Sequence, residues 1–345
     1  MVDYQLNSNK GVNKVYIIAE AGVNHNGNIE LAYQLCDAAK DAGVDAVKFQ
    51  TWKTENAVSK TVALASYQED NLGGRNESQY DMLKRLELSY EDFSKLKIYC
   101  DIIGIQFLST PDTLEDVDFL IGLGMPIQKI GSGDITNIPL LRGIGERHQN
   151  VILSTGMSSL TDVEQAYNTL VDSGANNVSL LHCTTNYPCP FEEVNLLAMK
   201  TLQYAFKCQV GYSDHTMGIE VPIAAVAMGA EIIEKHFTLN RTMEGPDHKA
   251  SLEPQELKQM VTSIRNIEQA MGDGIKRPNL SEKTISDVVL KRIIAKTPIK
   301  EGELLNESNM TILRNSEGIP AKYWDLVAGK PAKHNYMTDD PIEQL

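Results

Sequence analysis

The segment Gly211–Ser251, GYSDHTMGIEVPIAAVAMGAEIIEKHFTLNRTMEGPDHKAS, places a histidine at the end of each of two successive short runs that read as strands. His215 follows Gln209–Ser213, and His236 closes the run that begins at Glu231. Between them, Thr216–Ala230 is long enough for a helix that carries the chain back and returns it parallel to the first strand. Two imidazoles on neighbouring parallel strands, at the same end, meet at one point. With Asp214, Asp247 and His248 close by in sequence, that point reads as a divalent-metal site open to a small substrate. A histidine taken alone is more often a hydrogen-bonded surface or core residue. The matched positions of this pair reverse that preference.

Working outward, the same unit recurs. Short apolar segments lie at Val15–Glu20, Ala46–Gln50, Ile105–Ser109, Ile127–Ile130, Val151–Ser154, Val178–His182, Gln209–Ser213 and Glu231–His236, each followed by a stretch with helical periodicity. Ile29–Ala42 has apolar residues three or four apart and Gly43 as its stop, and Tyr90–Ile103 ends at Gly104. Val/Ile/Leu runs bounded by helices predict parallel strands covered on both faces. The fold class is therefore α/β. Eight units predict a closed (β/α)8 barrel of roughly the usual 250 residues, once a long insertion at Thr51–Leu88 is allowed for. An open doubly wound sheet is the alternative, weakened because no strand-to-helix turn carries a GxGxxG fingerprint.

In such a barrel the carboxyl ends of the strands share one rim. Glu20, Lys48, Gln50, Ser109, Thr110, Lys129, Ser132, Ser154, His182, Ser213, His215 and His236 all fall at or just past those ends. Loop polarity alone explains the serines and threonines. It does not explain Lys48 and Lys129, which sit within apolar strands where an unpaired ammonium is costly. Both lysines are assigned to function on that ground.

Composition narrows the partners. Acidic residues outnumber basic ones 46 to 32, a net charge of −14, which argues against nucleic acid or an anionic membrane but not against a small anion held by a few lysines in one cleft. The longest apolar run, Val221–Ala230, is bracketed by Glu220 and Glu231 and is too short to cross a bilayer. Residues 1–13 lack the basic start and apolar centre of a secretion signal, so a cytoplasmic location is expected. Cys36, Cys100, Cys183, Cys189 and Cys208 are odd in number and show no CxxC pairing, which predicts reduced, mostly buried thiols. Cys183 has no evident activating base beside it in the sequence.

After the helical pattern Pro254–Met271, the stretch Gly272–Ser286 is rich in Gly, Lys, Asn and Ser and reads as a linker. Beyond it, Leu290–Lys296, the turn Lys300–Gly302 and Met310–Leu313 predict short strands without a long amphipathic helix. The expected division is a barrel domain over 1–285, its linker starting near 272, and a small β-rich domain over 286–345. About sixty residues make a marginal core, so the tail is expected to pack on the barrel or on a partner subunit.

The ordered motifs carry a resemblance. AEAGVNHNG (Ala19–Gly27), AVKFQT (Ala46–Thr51), FLSTP (Phe107–Pro111), KIGSGD (Lys129–Asp134), ILSTGM (Ile152–Met157), LHCTTNYP (Leu181–Pro188) and the Gly211–Pro254 stretch run through the barrel, followed by IIAKTPIKEGELL and NMTILRNSEGIP in the tail. Together they resemble the sialic acid synthases, which condense phosphoenolpyruvate with an N-acylated mannosamine-type sugar. That resemblance implies a TIM barrel followed by an antifreeze-like (SAF) domain, in a domain-swapped homodimer. It implies metal-dependent synthesis of N-acetylneuraminate from N-acetylmannosamine with C–O cleavage and release of phosphate. Legionaminic acid synthesis from 2,4-diacetamido-2,4,6-trideoxymannose is the alternative.

By the same resemblance, His215 and His236 match the ligands of a divalent metal, Mn2+ ahead of Mg2+ or Co2+, and with Glu20 they form the expected catalytic set. Lys48, Thr110, Lys129, Ser132, Ser154, Thr185 and Ser213 fall where the family holds phosphoenolpyruvate. Gln50, Asp134, Tyr187, Asp247 and Arg314 fall on sugar-binding positions. Two departures stand out: Asp134 replaces a glutamate common in relatives, and Asn315 follows Arg314 where the family usually has proline. From the residues alone, a metal-dependent aldolase or sugar isomerase fits the barrel as well, and a non-catalytic sugar-binding protein is the reading of another class.

Overall fold

A computed structural model describes residues 14–72, 77–147 and 150–343. The leader expectation for residues 1–13 lies outside them. Eight parallel strands form one sheet: β1 (Tyr16–Gly22), β2 (Ala46–Thr51), β3 (Gln106–Pro111), β4 (Gln128–Ile130), β5 (Asn150–Ser154), β6 (Asn177–Cys183), β7 (Val210–Asp214) and β8 (Ile232–His236). Their order is β3-β2-β1-β8-β7-β6-β5-β4, and β1 pairs with both β2 and β8. First and last strands therefore meet, which a doubly wound sheet never does. β3 and β4 lie side by side and complete the cylinder without a hydrogen-bonded ladder.

Local signals in the chain explain the helices between them. Asn28 caps Ile29–Ala42 by accepting from the Glu30 amide at 2.8 Å, and Gly43 ends it in the left-handed region at φ 82°. Ser89 and Asp92 form a reciprocal cap on Tyr90–Ile103, which stops at Gly104 with φ 73°. The apolar faces of these helices pack on the barrel's outer wall in one continuous core that includes Ile17, Val47, Phe107, Leu153, Leu180 and Ile233. The expected insertion forms short helices at Thr54–Ala57, Ser66–Asn71 and Gln79–Leu86, with a separate small core of Val23, Trp52, Leu64, Leu72, Met82 and Leu86.

Close strand approach near the site depends on Gly211. A Cβ there would run into the Ile232 carbonyl oxygen and lie 2.7 Å from both Ile232 Cβ and Leu181 Cδ2. Because a backbone atom cannot swing away, Gly211→Ala should destabilise the chain by about 1–3 kcal/mol. Thermal unfolding checks this, and an unchanged midpoint would contradict the tight β7–β8 contact.

The chain divides into two compact units, the first ending at Gly272 and the second spanning Asp273–Leu345. The second contains β9 (Lys291–Ala295) antiparallel to β10 (Met310–Arg314), over a core of Ile293, Ile299, Leu305, Met310, Val327, Tyr336 and Ile342. One expectation is corrected here. Part of the stretch read as linker is a helix, Leu280–Val289, capped by Asn279 and Glu282. Composition suggested a linker, but the Asn-x-x-Glu spacing satisfies the first-turn amides and starts the helix. No helix among the described residues is long and apolar enough to cross a membrane.

Candidate active site

Strand periodicity turns alternate residues of each strand into the barrel, and register then decides which of them face one another. Glu20 is opposite Lys48 on one side and His236 on the other. Ser213 is opposite Glu234 and Cys183, and Gln50 is opposite Thr110. The result is a buried cluster of two ammonium groups and two carboxylates. Lys48 Nζ lies 2.7 Å from Glu20 Oε2, 3.7 Å from Glu234 Oε2 and 3.0 Å from Thr110 Oγ1. Lys129 Nζ lies 3.4 Å from Glu234 Oε1 and donates to Ser154 Oγ at 2.8 Å. Ser213 donates to Glu234 at 3.1 Å, and Gln50 Nε2 donates to Glu20 Oε1 at 3.1 Å.

The environment splits these four groups. Burial raises the Glu20 carboxyl, with Lys48 offsetting it only in part. Burial also opposes ionisation of Glu234, but Lys129 and Lys48 outweigh it and hold that carboxyl below its ordinary value. Lys48 is raised because Glu20 and Glu234 overcome its burial, whereas burial dominates at Lys129 and lowers it. Glu20 is thus the more basic of the two carboxyls and Glu234 the more readily ionised.

Above this cluster sit the two imidazoles, their ring centres 5.5 Å apart. His215 Nδ1 lies 2.7 Å from the Thr184 carbonyl oxygen, which can only accept, so Nδ1 carries the hydrogen and Nε2 a lone pair. Burial lowers both histidines, His236 well below the ordinary imidazole value, so both are neutral at pH 7. Tyr187 packs against His215 with ring centres 4.1 Å apart and planes tilted by 39°, and meets His236 edge-on at 5.4 Å. Asp247 Oδ2 is 3.7 Å from His236 Nδ1, and burial, with Glu20 nearby, pushes its carboxyl up to about 7.

Two neutral imidazoles with available lone pairs suit a divalent cation, and His236 Nδ1 is a buried polar atom without a hydrogen-bond partner. No group of three or more His, Cys, Asp or Glu poised for a metal occurs among the described residues. A cation held there would have to take most of its coordination sphere from water and substrate. Asp214 and His248, expected near this point, are corrected. Asp214 turns to the outer face, where it pairs with Lys235, because it alternates with inward-facing Ser213. His248 is tied to Thr238 at 2.6 Å and Asn26 at 3.3 Å, holding one loop to another.

A second group of hydroxyls gathers around Gly156. A Cβ at that glycine would strike Thr185 Oγ1 and lie 2.8 Å from Ser132 Oγ and 2.9 Å from Cys183 Sγ. Ser132 Oγ already accepts from the Gly156 amide at 2.9 Å, and Thr185 Oγ1 is buried without a hydrogen-bond partner. Ser132 and Thr185 thus come together at Gly156, while Ser154, two residues before it, accepts from Lys129. His182 departs from the rim expectation: it alternates with inward Cys183, bonds the Val194 carbonyl at 2.8 Å, and lines a cleft of about 630 Å3 with Met157, Leu160 and Leu197. Arg314 ends β10 in the second unit and is exposed.

Two residues escaped the sequence reading. Glu234 lies two positions before His236 on the same strand, so period-2 alternation placed it on the same face. Asp112 follows β3, and burial together with Asp134 and Asp116 pushes its carboxyl up to about 7. Its folded-state value exceeds the ordinary one near 3.8, so the folded chain loses stability as pH rises from about 4 to 7. Asp112→Asn should remove that loss. The variant's melting midpoint should match the parent's near pH 4 and exceed it at pH 8, and equal midpoints at pH 8 would refute the strained carboxyl.

Comparison with known proteins agrees with this geometry. The NeuB family pattern matches residues 35–276, and the SAF domain pattern matches 292–344. The N,N'-diacetyllegionaminic acid synthase of Campylobacter jejuni subsp. jejuni is 50% identical over 96% of this chain and 99% of its own length. The protein of that name from Legionella pneumophila is 45% identical over 91% and 90%. A crystal structure of an N-acetylneuraminic acid (sialic acid) synthetase from Leptospira borgpetersenii, in complex with citrate, superposes with a TM-score of 0.70 at 37% identity, covering 80% of this chain and 91% of that one.

Proposed function

The chain belongs to the NeuB family, and from that premise we propose that it condenses phosphoenolpyruvate with an N-acylated mannosamine-type sugar to give a nonulosonic acid and phosphate. The observation that carries this reading is the pair of buried lysines bonded to the hydroxyls of Thr110 and Ser154 and sharing Glu234, beside two neutral imidazoles at the same end of the barrel. A multiply charged ester needs the first set, and a carbonyl that must become an alkoxide needs what the second can hold.

Lys48 and Lys129 hold the anionic ester, while Thr110, Ser132, Ser154, Thr185 and Ser213 orient its oxygens. A divalent cation, Mn2+ ahead of Mg2+ or Co2+, would be held by His215 and His236 and supplies Lewis-acid polarisation of the sugar carbonyl when bound. Gln50, Asp134, Tyr187 and Asp247 are assigned to the sugar. The methylene carbon of phosphoenolpyruvate bonds to the sugar's aldehyde carbon, and water adds to the cationic carbon left behind. Glu20 takes that water's proton, a task suited to a carboxyl whose burial raises its pKa. The C–O bond to phosphate then breaks, the new hydroxyl losing its proton to the departing phosphate, and the sugar alkoxide takes up the proton held by Glu20, which leaves the keto acid. The sugar contact of Arg314, the domain-swapped homodimer and the cytoplasmic setting belong to the same proposal and rest on the family resemblance.

The choice of sugar has support on both sides. Relatives at 50% and 45% identity named N,N'-diacetyllegionaminic acid synthase weigh toward 2,4-diacetamido-2,4,6-trideoxymannose. N-acetylmannosamine has the support of the N-acetylneuraminic acid synthetase at 37%. Phosphate release measured in parallel with the two sugars decides between them, and release with neither would reject the synthase reading. Within that assay Lys129→Ala should raise the KM for phosphoenolpyruvate roughly 10- to 100-fold, the worth of a charged hydrogen bond, and leave the sugar's KM unchanged. An unaltered phosphoenolpyruvate KM would remove Lys129 from the ester site.

A further inference from the structure

One buried ion pair is not used by this mechanism. Asp214 and Lys235 are both fully buried, directly opposite each other on β7 and β8, and face away from the barrel interior. Lys235 Nζ lies 2.5 Å from Asp214 Oδ2 and also donates to the carbonyl oxygen of Thr216. Asp214 Oδ1 in turn accepts from the Thr216 amide at 3.1 Å and from its hydroxyl at 2.9 Å. These bonds close a ring of contacts around the one residue between Asp214 and Thr216, which is His215. Lys235 is itself the neighbour of His236 on β8. A single ammonium group therefore ties the turn that carries one imidazole to the strand that carries the other.

Stability does not account for such a pair. Taking two charges out of water costs about as much as their attraction returns, and apolar residues of similar volume usually hold a fold as well. What apolar residues lack is direction: they would leave the Thr216 carbonyl and amide without fixed partners, and the His215 backbone held only through its carbonyl, which accepts from the Cys189 amide at 2.8 Å. His215 reaches its Thr184 acceptor at 2.7 Å only with its backbone held where it is.

We infer that Asp214 and Lys235 form a positioning pair on the outer wall of the barrel that sets the imidazole of His215 against that of His236. The inference rests on the two-histidine reading of the site. Neither residue touches substrate; both act through the ring between them. In the full-length chain, Lys235→Met should weaken Mn2+ binding, titrated alone and read from the free-ion resonance, on the order of 10- to 100-fold. Binding of phosphoenolpyruvate by calorimetry without metal should stay unchanged, a split that general damage to the fold would not produce. Because the single change strands a buried carboxylate, the double variant Asp214→Leu with Lys235→Met removes both charges and should show the same split with cooperative unfolding. Parental Mn2+ affinity in that folded double variant would overturn the proposal.

A second readout separates this proposal from the metal reading. Side-chain nitrogen resonances of His215 should report one Nδ1–H tautomer in the metal-free parent and a mixture in both variants. If the parent binds no Mn2+, the metal reading falls and the tautomer result alone decides the pair, an unchanged single tautomer in the variants counting against it.

Discussion

His236→Ala should lower kcat/KM by at least about 10²- to 10³-fold, the loss that follows when one group stabilising a developing oxyanion is removed. The loss is large because the donor set is small: only His215 and His236 supply imidazoles at this point, and no larger group of ligands stands by among the described residues. Chelation of the parent should reproduce the loss, and added Mn2+ should restore the parent but not the variant. Far-ultraviolet circular dichroism should be unchanged, since His236 ends its strand and the β8 ladder contacts to β1 and β7 are made by backbone groups. Full turnover in chelated buffer would end the metal assignment.

Lys48→Met should damage both activity and fold. Lys48 lies 2.7 Å from Glu20 and 3.7 Å from Glu234, and its side chain is only 3% exposed, so its removal leaves two buried carboxylates to share Lys129. Breaking a buried ion network by deleting one partner typically costs about 3–5 kcal/mol. The sign of its pH dependence is fixed. Without Lys48, Glu20 rises further above its unfolded value and Glu234 loses one of the two ammonium groups that hold it below its own, so the deficit is smallest below about pH 4 and grows as pH rises toward neutrality. Adding Glu20→Gln should recover part of the stability at pH 7 while activity stays lost. A single variant that melts like the parent at pH 7 would show that the cluster is not the charge-balanced unit described.

Much of this site was legible because burial penalises charge. A lysine inside an apolar strand, as at Lys48 in AVKFQT or Lys129 in IQKI, is costly without a purpose, and both proved to be buried in ionic contact. Glu234 carries the same signal in IIEKH, but it lies inside the strand, before the end that marks the rim. Lys235, one residue on, looked no different from Glu234, yet it faces the opposite side and serves a different neighbour. Composition misled at Leu280–Val289, where a capping pair outweighed a polar, glycine-bearing surrounding.

By itself the chain determined its eight strand-helix units, their parallel sense and the rim on which polar residues gather, because apolar periodicity and helix stops are local properties of consecutive residues. Only the closed barrel decided that Glu20 stands between Lys48 and His236, that Glu234 bridges two lysines, and that Asp214 abandons the imidazoles for Lys235. Those facings depend on register between strands far apart in sequence, and a shift of one residue sends each side chain to the other face of the wall.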